Sequence, residues 1–262
     1  MHEKPFPLFA WFFPYLLLAL AFLIYQADWQ VSSFLFINHF TQLLPDRLWA
    51  GLTFLGNGWG ALAVTLPLLL LAPRLLSAGI FGGLISGVAA QILKPFFDLP
   101  RPAGVLNDGS FYRIGEPLFN NSLPSGHTMT AFAIAGAIYF VCNAQHRKYL
   151  STLFVLALLI GLSRIAVGAH WLTDVLAGMG IGLWCGMLGA KVACAIPESW
   201  LIPKSIWARL IASSGLITAY ILLTQTIDIK LNAPLQYVCV AFIAITLFFF
   251  IKAQNAKSVD HV

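Results

Sequence analysis

Residues 75–102 read LLSAGIFGGLISGVAAQILKPFFDLPRP. The run 75–93 is uncharged, and a helix crossing the hydrocarbon core of a bilayer needs about 20 such residues. Lys94, Asp98 and Arg101 then follow among prolines. The stretch reads as a transmembrane helix ending in a charged, proline-broken edge. The rest of the 262-residue chain repeats its apolar half, with 59% apolar and 10% charged residues. Soluble domains carry roughly 45–50% apolar and about 25% charged residues. That difference excludes a water-soluble globule and a disordered chain. A formal net charge of +5 suits anionic headgroups and cytoplasmic loops better than nucleic acid. Cys142, Cys185, Cys194 and Cys239 show no metal-ligand spacing, which argues against a zinc site or a disulfide framework.

Working outward, uncharged runs predict spans at about 8–25, 51–72, 75–93, 125–142, 149–168, 171–190, 207–225 and 236–251. The first follows Lys4 without a cleavage-like site, so it reads as a retained helix. Residues 29–49, broken by Asn38, His39 and Asp46 and ending in Trp29 and Trp49, read as an interfacial segment. The fold class is an all-α polytopic transmembrane bundle. A six-helix core covers residues 1–192, and 193–262 form an extension with two further helices, divided at Pro197, Glu198, Pro203 and Lys204.

With the N-terminus inside, nine basic residues face inward: Lys4, Arg74, Arg147, Lys148, Lys191, Lys204, Arg209, Lys252 and Lys257. Six face outward: Arg47, Lys94, Arg101, Arg113, Arg164 and Lys230. Lys94, Arg101 and Arg164 have a separate reason for their place, and without them the bias is clear. Both termini are then expected in the cytoplasm.

Ionisable residues inside a membrane protein are functional candidates because a central charge costs about 2.5–3.5 kcal/mol. Here they fall in three clusters: Lys94 to Pro102, Pro124-Ser125-Gly126-His127, and Ser163-Arg164 through His170 to Asp174. Each sits at the outer end of a predicted span, so the topology puts all three at one depth. Gly79, Gly83 and Gly87 on the third span, and Gly178, Gly182 and Gly186 on the sixth, would let backbones approach and bring Lys94 toward His170.

Lys94, Arg101 and Arg164 are three cations without a matching number of local acids, since only Asp98 stands free to pair with one. Such a set calls for an anion, and a tetrahedral phosphate fits it. Ser125 and Gly126 begin a helix, whose unpaired N–H groups add a second anion cradle. His170 and Asp174 stand four apart and share a helix face. Asp174 would fix the imidazole tautomer and leave the other nitrogen to attack phosphorus. His127, from another helix, would protonate the leaving oxygen. A facial metal set of His127, His170 and Asp174 is the rival reading, disfavoured by three cations that would repel a divalent ion. His2, His39, His146 and His261 read as ordinary surface histidines.

These three elements resemble the signature of the type 2 phosphatidic acid phosphatases: Lys-x6-Arg-Pro, Pro-Ser-Gly-His and Ser-Arg-x5-His-x3-Asp, in that order and without substitution. The resemblance is detailed over 94–174 and holds in outline for the six-helix core. It implies a phosphatase without metal or cofactor. His170 would carry a phosphohistidine, Asp174 would orient it and His127 would be the acid. Lys94, Arg101, Ser125, Gly126 and Arg164 would hold the phosphoryl oxygens.

The expected substrate is a phosphorylated membrane lipid of the outer leaflet of a bacterial cytoplasmic membrane, reached on the extracytoplasmic side. Undecaprenyl diphosphate is favoured over phosphatidylglycerol phosphate, phosphatidic acid and lipid A. A lipid phosphotransferase using the same histidine is the alternative enzyme, and a lipid transporter or sensor the non-enzymatic one. The outer loop 103–123, with Phe111, Tyr112, Arg113 and Phe119, is positioned to cover the site and select headgroups. Asn120-Asn121-Ser122 matches a glycosylation pattern, with nothing in the chain to suggest its use.

Overall fold

A bilayer offers no water to backbone N–H and C=O groups, and a helix satisfies them internally. The computed structural model describes residues 6–255, so His2, Lys4, Lys257 and His261 lie outside the described residues. The first helices are α1 (Leu8–Gln26), α2 (Gln30–Thr41), α3 (Asp46–Gly56), α4 (Gly58–Thr65) and α5 (Leu68–Leu71). Next come α6 (Pro73–Phe97), α7 (Pro102–Val105), α8 (Gly126–Val141), α9 (Ala144–Leu150), α10 (Thr152–Ala166) and α11 (Leu172–Ala195). A short α12 (Glu198–Leu201) leads to α13 (Ile206–Thr224), a 3-10 turn (Lys230–Asn232) and α14 (Ala233–Asn255). Among the described residues there is no strand, and six helical stretches are long and apolar enough to cross a membrane. The chain is an all-α polytopic bundle.

The most enclosed helix is α11, packed by α8, α6 and α1. Lipid tails are as apolar as leucine, so membrane helices associate through close packing of small residues. Gly178, Gly182 and Gly186 supply that packing against α8: a methyl group on Gly178 would stand 2.8 Å from the Ser125 carbonyl oxygen. Gly79 and Gly83 of α6 likewise face Ile134 of α8, so the glycines expected to meet do not, but α6 and α11 still approach closely through another pair, Gly82 against Gly189. Ala133 and Ala137 on α8 offer the matching small face. α6 makes its own close approach through Gly82, against the Ala133 carbonyl, while Gly87 borders open space. Phe12, Leu16, Val88, Ile92 and Phe248 point outward, exposed where lipid would lie.

The expected span 51–72 is not one helix. α3 stops at Gly56, and Asn57 caps α4 by accepting the Trp59 N–H at 3.0 Å. Pro67, which has no N–H to donate, precedes α5. A hydropathy average passes over these breaks. Phe54, Leu66 and Leu69 share one buried cluster with Ile211, Leu222, Ile243 and Phe250 of α13 and α14.

Residues 29–49 are also more than an interfacial strip. Trp29 is exposed, but Trp49 is buried and donates its indole N–H to the Thr41 carbonyl at 2.8 Å. Buried Asn38 ties three elements together. Its amide donates to the Tyr112 and Ile165 carbonyls, both at 2.9 Å, and its oxygen accepts the Tyr112 N–H at 2.8 Å. The middle of the 103–123 loop is thereby fixed beside the end of α10.

Candidate active site

Lys94 occupies the last turn of α6, which closes on Asp98 in a left-handed conformation (φ 41°). The turn sends the chain back across the bundle end, so that Arg101 is buried ahead of α7. The Arg101 backbone N–H donates to the Phe119 carbonyl at 2.8 Å. Its guanidinium donates to Asn120 O at 2.8 Å, to Ala169 O at 3.1 Å and to Asn121 O at 3.3 Å. Four backbone carbonyls thus aim one arginine. Its Nη1 also lies 3.2 Å from Nε2 of His170.

That contact fixes the histidine's chemistry. A guanidinium can only donate, so Nε2 of His170 must be the bare, lone-pair nitrogen. Nδ1, 3.2 Å from Oδ2 of Asp174, then carries the proton. The same carboxylate oxygen accepts the Trp171 N–H at 2.9 Å and the Ser122 hydroxyl. Asp174 is the third residue of α11, and its carboxylate reaches back to the N–H of the N-cap residue Trp171. The helix start therefore holds the residue that holds the imidazole. Burial pushes the His170 pKa well below the usual histidine range, and Arg101, Arg164 and Lys94 push it the same way. The ring is neutral at pH 7.

The second helix start is α8. Ser125 is fully buried at its N-cap, with its backbone N–H donating to Asp174 O at 3.0 Å and its hydroxyl accepting from Thr128 at 2.9 Å. Gly126 follows beside the Lys94 ammonium: a methyl group there would lie 3.8 Å from Nζ. Two helix N-termini with their partial positive charge thus meet three cationic side chains. Arg164 is 4% exposed, and its buried Nε has no hydrogen-bond partner among the described residues. An unpartnered buried donor is costly and asks for an acceptor. Lys94, Arg101, Gly126 and His127 line a cleft of about 560 Å³, bordered by Gln91, Asn57 and loop residues Leu118 to Asn121.

The structure brings Lys94, Arg101, Ser125, Gly126, His127, Arg164, His170 and Asp174 to one end of the bundle. Asp98 is exposed, and it forms no ion pair with the three cations among the described residues. The acid that does enter the site is Asp228, from the turn between α13 and α14. Its Oδ1 lies 3.0 Å from Nε2 of His127. Sequence reasoning missed it because Thr226-Ile227-Asp228-Ile229 looks like any polar turn. Ser122 was visible only as the end of a glycosylation pattern. The loop 103–123 contributes carbonyls at 119–121 to Arg101 and side chains to the cleft, while Phe111 packs edge-on against Phe34. Among the described residues, no three His, Cys, Asp or Glu side chains converge as a metal site would require.

Comparison with known proteins gives this arrangement a context. The family model for the PAP2 superfamily matches residues 74–194. A lipid A 1-phosphatase of Rhizobium johnstonii is 32% identical over 137 residues, which cover 48% of this chain and 54% of that protein. The chain thus spans about half the length of that relative. An undecaprenyl-diphosphatase of Sulfolobus acidocaldarius is 28% identical over 171 residues, 64% of this chain and 80% of that one. The crystal structure of Aquifex aeolicus LpxE aligns with a TM-score of 0.53 at 30% identity, covering 62% of this chain and 94% of that chain.

Proposed function

We propose that this chain, which belongs to the PAP2 superfamily, hydrolyses the phosphate of a membrane lipid through a phosphohistidine formed on His170. The observation that carries the proposal is the His170 ring itself: Nδ1 faces Asp174 at 3.2 Å and the bare Nε2 faces Arg101 at 3.2 Å. A neutral imidazole with one nitrogen held and the other unprotonated is an activated nucleophile.

In the first step Nε2 attacks phosphorus. A P–N bond forms at the terminal phosphorus while its P–O bond to the leaving group breaks, and the leaving oxygen, of the lipid alcohol in a monophosphate or of the lipid monophosphate in a diphosphate, takes a proton from His127. Lys94, Arg101 and Arg164 hold the equatorial oxygens with the Ser125 hydroxyl and the Gly126 amide, where charge is spread in the transition state. Arg164 Nε, buried and unpartnered, gains an acceptor. In the second step water attacks the phosphohistidine and gives a proton back to His127. Inorganic phosphate and free His170 result. No step asks for a metal.

The chain is an integral membrane protein, and the six spanning stretches are consistent with lipid entering from the side. The site belongs on the extracytoplasmic face of a bacterial inner membrane, with both termini in the cytoplasm, on the asymmetry of basic residues. Undecaprenyl diphosphate remains the substrate favoured from that orientation. The relatives support it and the 1-phosphate of lipid A as the two to try first. Phosphatidylglycerol phosphate and phosphatidic acid complete the panel.

The test is phosphate release by purified protein in detergent with EDTA, over these four lipids, beside His170→Ala. Release from one lipid class that survives EDTA and vanishes in the variant is expected. Undiminished release by His170→Ala would remove the nucleophile. Phosphate passed to a second lipid rather than to water would make the chain a transferase.

A further inference from the structure

The C-terminal helices deliver a carboxylate to the cleft. Asp228 stands in the left-handed region (φ 57°), which aspartate tolerates better than most residues. Ile227 and Ile229 on either side are buried. The turn is held by Gln236, whose amide donates to Leu222 O at 2.7 Å and Gln225 O at 2.8 Å, and whose oxygen accepts the Ile227 N–H at 3.3 Å. Asn232 adds a bond to Ile227 O at 3.4 Å. This construction presents Asp228 Oδ1 to His127 Nε2 at 3.0 Å, with Asn57 Nδ2 at 3.4 Å from the same oxygen. The two side chains are 16% and 20% exposed, so water screens the pair only in part.

The groups facing His127 are Arg164 from α10, Lys94 from α6, His170 from the turn ahead of α11, and Asp228. Asp228 is the one anion of that set. Burial works to raise its carboxyl, but His127 and Arg164 hold it below the usual carboxylate range, so it is ionised at neutral pH. His127 Nδ1 makes no hydrogen bond among the described residues, and the residue lines the cleft.

We propose that Asp228 is the positioning residue of the proton donor: it holds His127 by Nε2, supports its imidazolium form, and leaves Nδ1 to give its proton to the leaving oxygen. The site then contains two His–Asp pairs, one for the nucleophile and one for the acid. The second takes its carboxylate, Asp228, from outside the 74–194 stretch that the family model covers. This rests on His127 being the acid.

The experiment compares Asp228→Asn, Asp228→Glu and His127→Ala in the full chain, on a lipid alkyl phosphate and on an aryl phosphate whose leaving group needs no proton. Asp228→Asn should lose about tenfold or more in kcat on the alkyl substrate and little on the aryl one, with KM nearly unchanged. The alkaline limb of its kcat profile should move about one pH unit lower, because the imidazolium has lost its anion. Asp228→Glu should recover part of the loss.

Wild-type behaviour of Asp228→Asn beside a selective loss in His127→Ala would overturn the proposal and leave the acid assignment standing. Equal losses on both substrates in His127→Ala would remove the acid, and Asp228's role with it. Higher activity in Asp228→Asn would mean that the carboxylate blocks the anion site, and equal losses on both substrates with a raised KM would mean a structural role alone. Either result overturns the proposal. Should Asp228→Asn fail to fold, nitrogen-15 spectra of histidine-labelled protein read the pair directly. A proton on Nε2 of neutral His127 is expected, and a proton on Nδ1 would refute the arrangement.

Discussion

Ser122 donates its hydroxyl proton to Oδ2 of Asp174, the same oxygen that faces Nδ1 of His170. A residue from the outer loop therefore steadies the carboxylate that orients the proposed nucleophile. Hydrogen bonds to charged groups contribute about 1.5–3 kcal/mol. Ser122→Ala should lower kcat about tenfold with little change in KM, since about 1.4 kcal/mol is a factor of ten. Steady-state kinetics on the identified lipid decide it, and an unaltered kcat would make Ser122 a bystander.

Arg164→Lys should weaken inhibition by inorganic phosphate or orthovanadate by tenfold or more. A lysine keeps the charge but not the fork that meets two oxygens, and it cannot reproduce Nε. The unpartnered Nε of Arg164 is the basis for expecting more than a charge effect. Titration of inhibition in wild type and variant gives the ratio; equal inhibition would mean that Arg164 does not touch the anion.

The pH profile follows from the lowered pKa of His170, set by burial and then by Arg101, Arg164 and Lys94. A base whose pKa is depressed stays neutral to lower pH than an ordinary histidine. On an aryl phosphate whose leaving group needs no proton from His127, kcat/KM should therefore hold level as pH falls through about 6.5, the usual histidine value. Loss from His170 protonation begins only below that, once the substrate's own titration near pH 6 is divided out. An acid limb centred at the ordinary histidine value would contradict the buried, cation-faced setting.

Gly178→Ala should cost both activity and thermal stability. Its methyl group would stand 2.8 Å from Ser125 O and 3.0 Å from Thr128 Cβ, so the start of α8 must shift. Overpacking of this kind costs about 1–3 kcal/mol, and the shift moves Ser125 and Gly126 with it. Melting in detergent and kcat/KM measure the two effects. Gly83→Ala, whose methyl group would meet only Ile134 carbons at 3.9 and 4.0 Å, should change neither.

Much of the site was legible because the membrane makes charge conspicuous. Lys94, Arg101, Arg164, His170 and Asp174 stand out against apolar runs, and alternating helix direction puts them at one depth. Asp228 was not legible, since it lies in a polar turn 101 positions from its partner. The packing of α13 and α14 on α4 and of the 3-10 turn on α3 brings that turn to the cleft. Ser122 and Asn38 are similar cases: small polar residues whose partners are far along the chain. The error at 51–72 has a different origin. Composition sets the cost of placing a segment in lipid, but Asn57 capping and Pro67 decide whether its backbone is continuous.

The broken stretch α3–α5 also carries a consequence in time. Phe54, Leu66 and Leu69 are buried against Ile211, Leu222, Ile243 and Phe250, which a ribosome delivers long after it has made them. Until the α13–α14 hairpin inserts, the early segments have no mate for this surface, and the bundle end beside Asn57 stands without its outer wall. Assembly thus closes backward, with later-made helices completing earlier-made ones. A chain arrested during synthesis would hold every residue from Lys94 to Asp174 while still lacking a finished enclosure around them.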